Sequence, residues 1–194
     1  MKILSYGGFV AEKLFRREAL GFYDPVKNAV WNYVAGYTVT ELNKALRRNM
    51  KSKELDEMCA LMDSAMEKSP KGVLYRVVEW EYLRNIYNIY KDNLDDALFG
   101  KFTAKAYTSA TKKRKNIWGT FCGTEAFMEI DCRKPVNGID VNEMFDPSEI
   151  DCADQEEIIL QRNLDFTITG YAMTDRKGNP DENGDIYMLY VKIL

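Results

Sequence analysis

The sequence predicts an α+β fold, helices first and strands afterwards, on two observations. Apolar residues recur at helical spacing before residue 70, and short β-rich runs separated by turn residues fill most of the chain after it. With 194 residues and 46% apolar content there is material for one sizeable core, so residues 1–194 are expected to form one domain.

The first helix is expected over Asp24 to Tyr37. Pro25 suits a first helical position after Asp24, and Val26, Ala29, Val30, Tyr33 and Val34 fall on one face. Gly36 allows the turn that follows. The next helix carries Leu42, Ala45 and Leu46 as its apolar stripe; Thr38 or Thr40 can cap it, and Thr38-Val39-Thr40-Glu41 has the pattern of a capping box. Glu54 to Met66 gives a third helix whose Leu55, Met58, Cys59, Leu61, Met62 and Met66 form a core face. Val73 to Trp80 is the first strand. Tyr82 to Leu98 reads as a helix with Ile86, Ile89 and Tyr90 inward, Phe102 to Ser109 as one strand and Ala126 to Cys132 as another. A turn at Pro135 to Gly138 and a polar loop over Asn142 to Asp154 lead to a strand at Gln155 to Leu160. Phe166 to Tyr171 is a further strand, and Asp175 to Asp185 a hairpin loop into the closing strand, Ile186 to Leu194.

Composition removes several chemistries. There is no histidine, and Cys59, Cys122, Cys132 and Cys152 form no CxxC pair, so a zinc site and a Ser-His or Cys-His nucleophile are excluded and no metal is expected. Cys152 reads either as a reactive thiol beside the acidic loop or as an ordinary small residue. Unpaired cysteines favour a reducing compartment. A net charge of -3 and a pI near 5.2 give no global argument for a nucleic-acid or anionic-membrane partner. Such a partner needs a local patch; Lys112-Lys113-Arg114-Lys115 is one, or else a solvated loop. No apolar run approaches the roughly 20 residues that cross a bilayer. Met1 to Ala11 is too short and glycine-interrupted for a signal peptide.

The chain is organised around Asp154-Gln155-Glu156-Glu157-Ile158-Ile159-Leu160, an acidic loop running into a buried strand. In an extended chain Gln155 and Glu157 share one face. A carboxylate at a strand mouth can stabilise developing positive charge, as cleavage of a glycosidic bond requires, or can be a plain charged strand end. Arg76 lies in an apolar strand and needs an anion: either Glu79 or Glu157, or a diphosphate gripped bidentately. Ser109 and Thr111 bring hydroxyls that donate and accept, and that also make local turns. Asn43 and Arg47, four apart, share a helix face that is either solvated or in contact with a ligand.

In chain order, Asn43-Lys44-Ala45-Leu46-Arg47, the Arg76 strand, Ser109-Ala110-Thr111 after Tyr107, and Gln155-Glu156-Glu157 before an apolar strand resemble the motifs of the arginine/serine/glutamate class of mono-ADP-ribosyltransferases, with a pattern similar to the clostridial Rho-modifying exoenzymes. The resemblance implies N-terminal helices followed by a two-sheet β core of the ADP-ribosyltransferase toxin type. It implies NAD as co-substrate, an intracellular protein as acceptor, a monomer, and action in the cytoplasm of the producing cell or of a target cell reached through another component. Glu157 would stabilise the ribosyl cation and Ser109 would orient it. Arg76 would hold the diphosphate, with Asn43 and Arg47 beside the adenosine half, Thr111 as the second hydroxyl and Trp118 as the loop aromatic. The chain departs from the pattern at Ala110, and at Phe121, where the family carries an arginine. Gln155 stands where arginine-modifying members carry Glu. An amide cannot act as a base toward guanidinium, so asparagine is the expected acceptor, with arginine or guanine in nucleic acid as alternatives. A module that binds NAD or a partner without turnover is the other class considered. Cys152 occupies the place of the exoenzymes' aromatic, so Rho is not the expected target.

Overall fold

The computed structural model describes residues 24–36, 38–68, 72–117, 125–134, 136–151, 153–175, 179–184 and 186–194. Trp118, Phe121, Cys122 and Cys152 lie outside the described residues.

Three helices come first, each started by a local device. Asp24 caps α1 (Pro25–Val34), its carboxylate accepting the Val26 amide at 2.8 Å with Pro25 in the first turn. Ser52 caps α3 (Lys53–Ser64) by accepting the Leu55 amide at 3.1 Å. Between them, α2 (Val39–Arg47) begins after Thr38, but the predicted capping box does not form. Thr38 has φ −117° and ψ −19°, and its buried hydroxyl has no hydrogen-bond partner. Burial has overridden the local pattern there.

The predicted helix over Tyr82 to Leu98 is two pieces. α4 (Trp80–Tyr87) stops because Asn88 turns left-handed at φ 58°, and the chain resumes as a 3-10 segment over Lys91–Ala97. Ile89 is buried as expected, whereas Ile86 and Tyr90 are 40% and 47% exposed. The predicted strand Phe102 to Ser109 is also divided. β3 (Phe102–Ala104) pairs with β8 (Leu164–Thr174), and β4 (Thr108–Thr111) pairs with β7 (Glu157–Leu160) and β2 (Val73–Glu79). A four-residue helix α5 (Val141–Met144), capped by Asp140, opens the loop read as irregular.

With β1 (Glu67–Lys68), β5 (Glu125–Asp131), β6 (Asn137–Asp140) and β9 (Ile186–Ile193), the described strands make one ladder ordered β1-β6-β7-β4-β2-β5-β9-β8-β3. All neighbours are antiparallel except β5 and β9. This differs from two separate sheets, although the division persists as a seam. β2 pairs with β5 along its whole length, from Val73↔Asp131 to Glu79↔Glu125, but meets β4 only at Tyr75↔Thr111.

Among the described residues the two larger cores lie on either side. One gathers Leu74, Val78, Leu83, Met128, Ile130, Ile168 and Leu189; the other holds Val30, Tyr33, Leu42, Met58, Met62, Tyr107 and Ile139 beneath the three helices. β7 serves both, with Ile158 and Leu160 in the first and Ile159 in the second. Covered on two faces, it reads as a continuous apolar run. The helical layer is tied down by Arg162, whose Nη2 donates to Asp63 Oδ2 at 2.7 Å, and by Lys27 on Glu149 at 2.8 Å. No described helix is long and apolar enough to cross a membrane.

Candidate active site

The site forms at the seam. The antiparallel register Thr111↔Glu157 and Ser109↔Ile159 puts Glu157, Thr111 and Ser109 on one face of β4 and β7, with Ser109 diagonal to Glu157. α1 and α2 cover that face. Arg76 sits between Leu74 and Val78 on β2, and its Nη1 donates to the Ser109 carbonyl at 2.7 Å. Burial pushes the Glu157 carboxyl above its ordinary 4.5, opposed by hydrogen bonding with Ser109 and by the charge of Arg76. Arg76, Ser109 and Glu157 are therefore neighbours, drawn from three strands.

The helix supplies the other wall. Asn43 is buried, its Nδ2 donates to the Tyr33 hydroxyl at 2.9 Å, and its Oδ1 has no partner. Arg47 lays its guanidinium over the Tyr82 ring, 4.8 Å from the centroid, and its buried Nε has no partner. Among the described residues neither Arg76 nor Arg47 forms an ion pair, so the alternative in which Glu79 or Glu157 neutralises Arg76 by direct contact is not realised. Tyr82 and Tyr87 place their hydroxyls 3.4 Å apart, and burial pushes the Tyr87 phenol up against the pull of Arg76 and Arg47. Arg76, Tyr82, Tyr87 and Thr108 edge a shallow cleft of about 30 Å3 floored by apolar side chains such as Phe166 and Leu160; Ser109, Glu157, Asn43 and Arg47 do not line it. Two guanidinium groups without an ion pair among the described residues, one of them with an unsatisfied Nε donor, suit a bound polyanion, whereas the unsatisfied Asn43 Oδ1 is an acceptor and suits a donor group.

Two expectations need correction. Gln155 and Glu157 do not share a strand face: Gln155 ends a 3-10 turn (Ala153–Gln155), Glu156 is left-handed at φ 47°, and the strand starts at Glu157. Gln155 is exposed on this turn. Thr111 holds the turn in place, since its hydroxyl donates to the Gln155 carbonyl and accepts the Lys113 amide at 3.0 Å. The basic run contributes as well. Lys113 pairs with Glu156 at 2.5 Å and Lys112 with Asp140, so these two lysines of the run read as a docking patch or solvated loop are bound internally. Trp118, expected in the loop, lies outside the described residues. Tyr33, Tyr82 and Tyr87 were not singled out from the sequence. Tyr33 reads only as part of the apolar face of the first helix, and the signal available for all three is that the hydroxyl of a buried tyrosine needs a partner.

A family model described as ADP-ribosyltransferase exoenzyme matches residues 23–186. A comparison with curated sequences found no match. Among solved structures the fold is similar to the C3 exoenzyme of Clostridium limosum at 15% identity and TM-score 0.63, covering 97% of this chain and 91% of that one. It is similar to C3stau2 from S. aureus, solved with NAD, at 15% identity and TM-score 0.63, covering 100% and 97%. A third similarity, at 15% identity and TM-score 0.66, is to the enzymatic component C2-I of the C2 toxin from Clostridium botulinum, covering 96% of this chain and 45% of that one.

Proposed function

Because the chain belongs to the ADP-ribosyltransferase exoenzyme family, whose activity is NAD-dependent mono-ADP-ribosyl transfer, we propose that it holds NAD across the β2–β4 seam and passes ADP-ribose to an asparagine of a protein acceptor. The observation that carries this reading is the convergence of Arg76, Ser109 and Glu157 opposite the unsatisfied Asn43 Oδ1 and Arg47 Nε.

Cleavage breaks the bond between the nicotinamide nitrogen and the ribose C1′; the electron pair leaves with neutral nicotinamide, and C1′ becomes cationic. No acid is needed for that departure. The protein has to grip the phosphates, hold a negative charge near C1′ and position the nucleophile. Arg76 and Arg47 carry the first task, with Asn43 accepting from the adenosine half. Glu157 carries the second, oriented by Ser109. Gln155, at the exposed turn, meets the acceptor, and an amide there pairs with an amide side chain. The acceptor nitrogen then bonds C1′ and gives up its proton to solvent water.

The test is incubation of wild type and Glu157→Gln with labelled NAD and a cell lysate, followed by mass spectrometry of labelled material. Label on asparagine, lost in Glu157→Gln, is the expected result. Label on arginine or on guanine replaces the acceptor assignment, and NAD bound but left intact overturns the reading.

A further inference from the structure

We propose that Tyr82, on α4, is a positioning residue that holds the Arg47 guanidinium through the face of its ring, so that Arg47 meets the diphosphate of NAD with its charge and its donors free. The inference rests on the site reading above and supplies the group that places one of its two cations. Arg47 is the last residue of α2, and a guanidinium on so long a stem needs an anchor before it can act as half of a clamp. Its Cζ lies 4.8 Å from the centroid of the Tyr82 ring, within the roughly 6 Å over which a ring attracts a cation. Among the described residues Arg47 forms no ion pair, and its buried Nε has no hydrogen-bond partner. The choice of anchor accounts for both. A carboxylate would fix Arg47 as well, but it would cancel the charge and take the N–H groups that a phosphate needs. A ring attracts the cation through its quadrupole and is itself neutral, so the guanidinium is anchored without being neutralised.

The ring is held from behind. Tyr82 is half-buried in the first turn of α4 and packs against the first core. It meets Tyr87 edge-on, with ring centroids 5.8 Å apart at 77° and the two hydroxyls 3.4 Å apart. Tyr87 stands edge-on in turn to Phe166 of β8, at 5.2 Å and 88°, and to Phe102 of β3, at 6.1 Å and 76°. A row of rings therefore runs from the strands of the first core to Arg47 in the helical layer. Tyr82 also edges the cleft together with Arg76. One side chain thus borders the cleft of Arg76 and carries Arg47, which sets the two guanidinium groups in a fixed relation, as gripping one diphosphate requires.

Tyr82→Phe keeps the ring face and removes only the hydroxyl, so the Kd for NAD, read by titration, should stay within about twofold of wild type. Mono-, di- and trifluorinated phenylalanine at position 82 keep the shape of the ring while drawing charge from its face, and should raise the Kd in steps. Tyr82→Leu removes the face and should raise it about 5- to 10-fold, as for loss of one partly desolvated cation–π contact. The kcat for nicotinamide release should stay within about twofold throughout, because a grip on the diphosphate is the same before and during the departure of nicotinamide. In an Arg47→Gln background neither Tyr82→Leu nor the fluorinated series should have any further effect. A flat fluorinated series, a Tyr82→Phe as weak as Tyr82→Leu, a fall in kcat at unchanged Kd, or a loss that persists without Arg47 would each overturn the proposal. The fluorinated series preserves the packing, so it decides the matter even if Tyr82→Leu does not fold. A wild-type chain that binds no NAD, or an Arg47→Gln chain that binds it as tightly as wild type, sinks the site reading and this inference together. NAD binding that depends on Arg47 but is indifferent to fluorination at position 82 sinks this inference alone.

Discussion

Replacing Glu157 by Gln keeps the shape of the side chain and an oxygen for Ser109 while removing the charge. Its expected cost follows from the environment. The carboxylate is largely buried between β4 and the helical layer, beside Arg76, so its field is screened by protein more than by bulk water. A unit charge about 4 Å from a developing cation is worth about 4 kcal/mol at an effective dielectric near 20 and about 1 kcal/mol in water. The first figure corresponds to about three decades in rate, at about 1.4 kcal/mol per decade. The kcat for nicotinamide release should thus fall about 1,000-fold with little change in NAD affinity, read by steady-state kinetics and by titration of NAD binding. The same variant should be more stable than wild type at neutral pH. Burial raises the folded pKa of Glu157 above 4.5, so the folded state binds more protons between 4.5 and that raised value, and stability falls as pH rises through the window. Gln has no such dependence, so the gain in Tm should appear above the window and vanish below about pH 4. A rate loss under about tenfold would place the carboxylate in a water-like setting away from the cation, and a variant less stable than wild type at neutral pH would refute the assigned burial penalty.

Three further outcomes are open to measurement. Gln155→Glu should move the acceptor towards arginine while nicotinamide release stays within about threefold, since the altered group stands on a turn outside the ladder; collapse of nicotinamide release would mean that position 155 serves NAD. Thr111→Val should lower the ratio of protein transfer to NAD hydrolysis, because it frees the Gln155 carbonyl and the Lys113 amide, and should cost about 1–2 kcal/mol in denaturant unfolding; an unchanged ratio would separate the turn from acceptor handling. Tyr107→Phe loses a 2.6 Å bond to a carboxylate and should lower Tm by about 4–8 °C, from a cost of about 2 kcal/mol, while NAD cleavage keeps most of its rate.

What could be read from the sequence was whatever a single strand or helix decides. Arg76 stood out because a guanidinium in an apolar strand demands an anion, and Glu157 because an acid precedes three residues buried on both faces. The predicted shared face of Gln155 and Glu157 failed for a non-local reason. The left-handed Glu156 is sustained by Lys113 and by the Thr111 bond to the Gln155 carbonyl, made across a separation of 44 residues. The division of Phe102 to Ser109 is of the same kind, since β3 and β4 answer to partners on opposite parts of the ladder. Tyr33 fits the apolar stripe of α1 and reads as core, which it is; its hydroxyl takes meaning only from Asn43 on the next helix.

The seam explains why these groups collect where they do. A sheet fully paired from β7 to β5 would cover the space between β4 and β2 with ladder hydrogen bonds, leaving Arg76 no route to the Ser109 carbonyl. Reduced to Tyr75↔Thr111, the pairing opens a cleft beside Arg76 while both flanks remain complete. The helix-covered side of the seam carries groups unfavourable to folding: a carboxyl whose charge is opposed by burial, and the unsatisfied Asn43 Oδ1 and Arg47 Nε. Ties elsewhere offset them, in the Asp63–Arg162 pair and the Tyr107 hydroxyl that anchor α3 to the strands, and in the Lys27–Glu149 pair that anchors α1. A ligand that satisfies Asn43 Oδ1 and Arg47 Nε therefore stabilises the fold and is oriented by it in the same event.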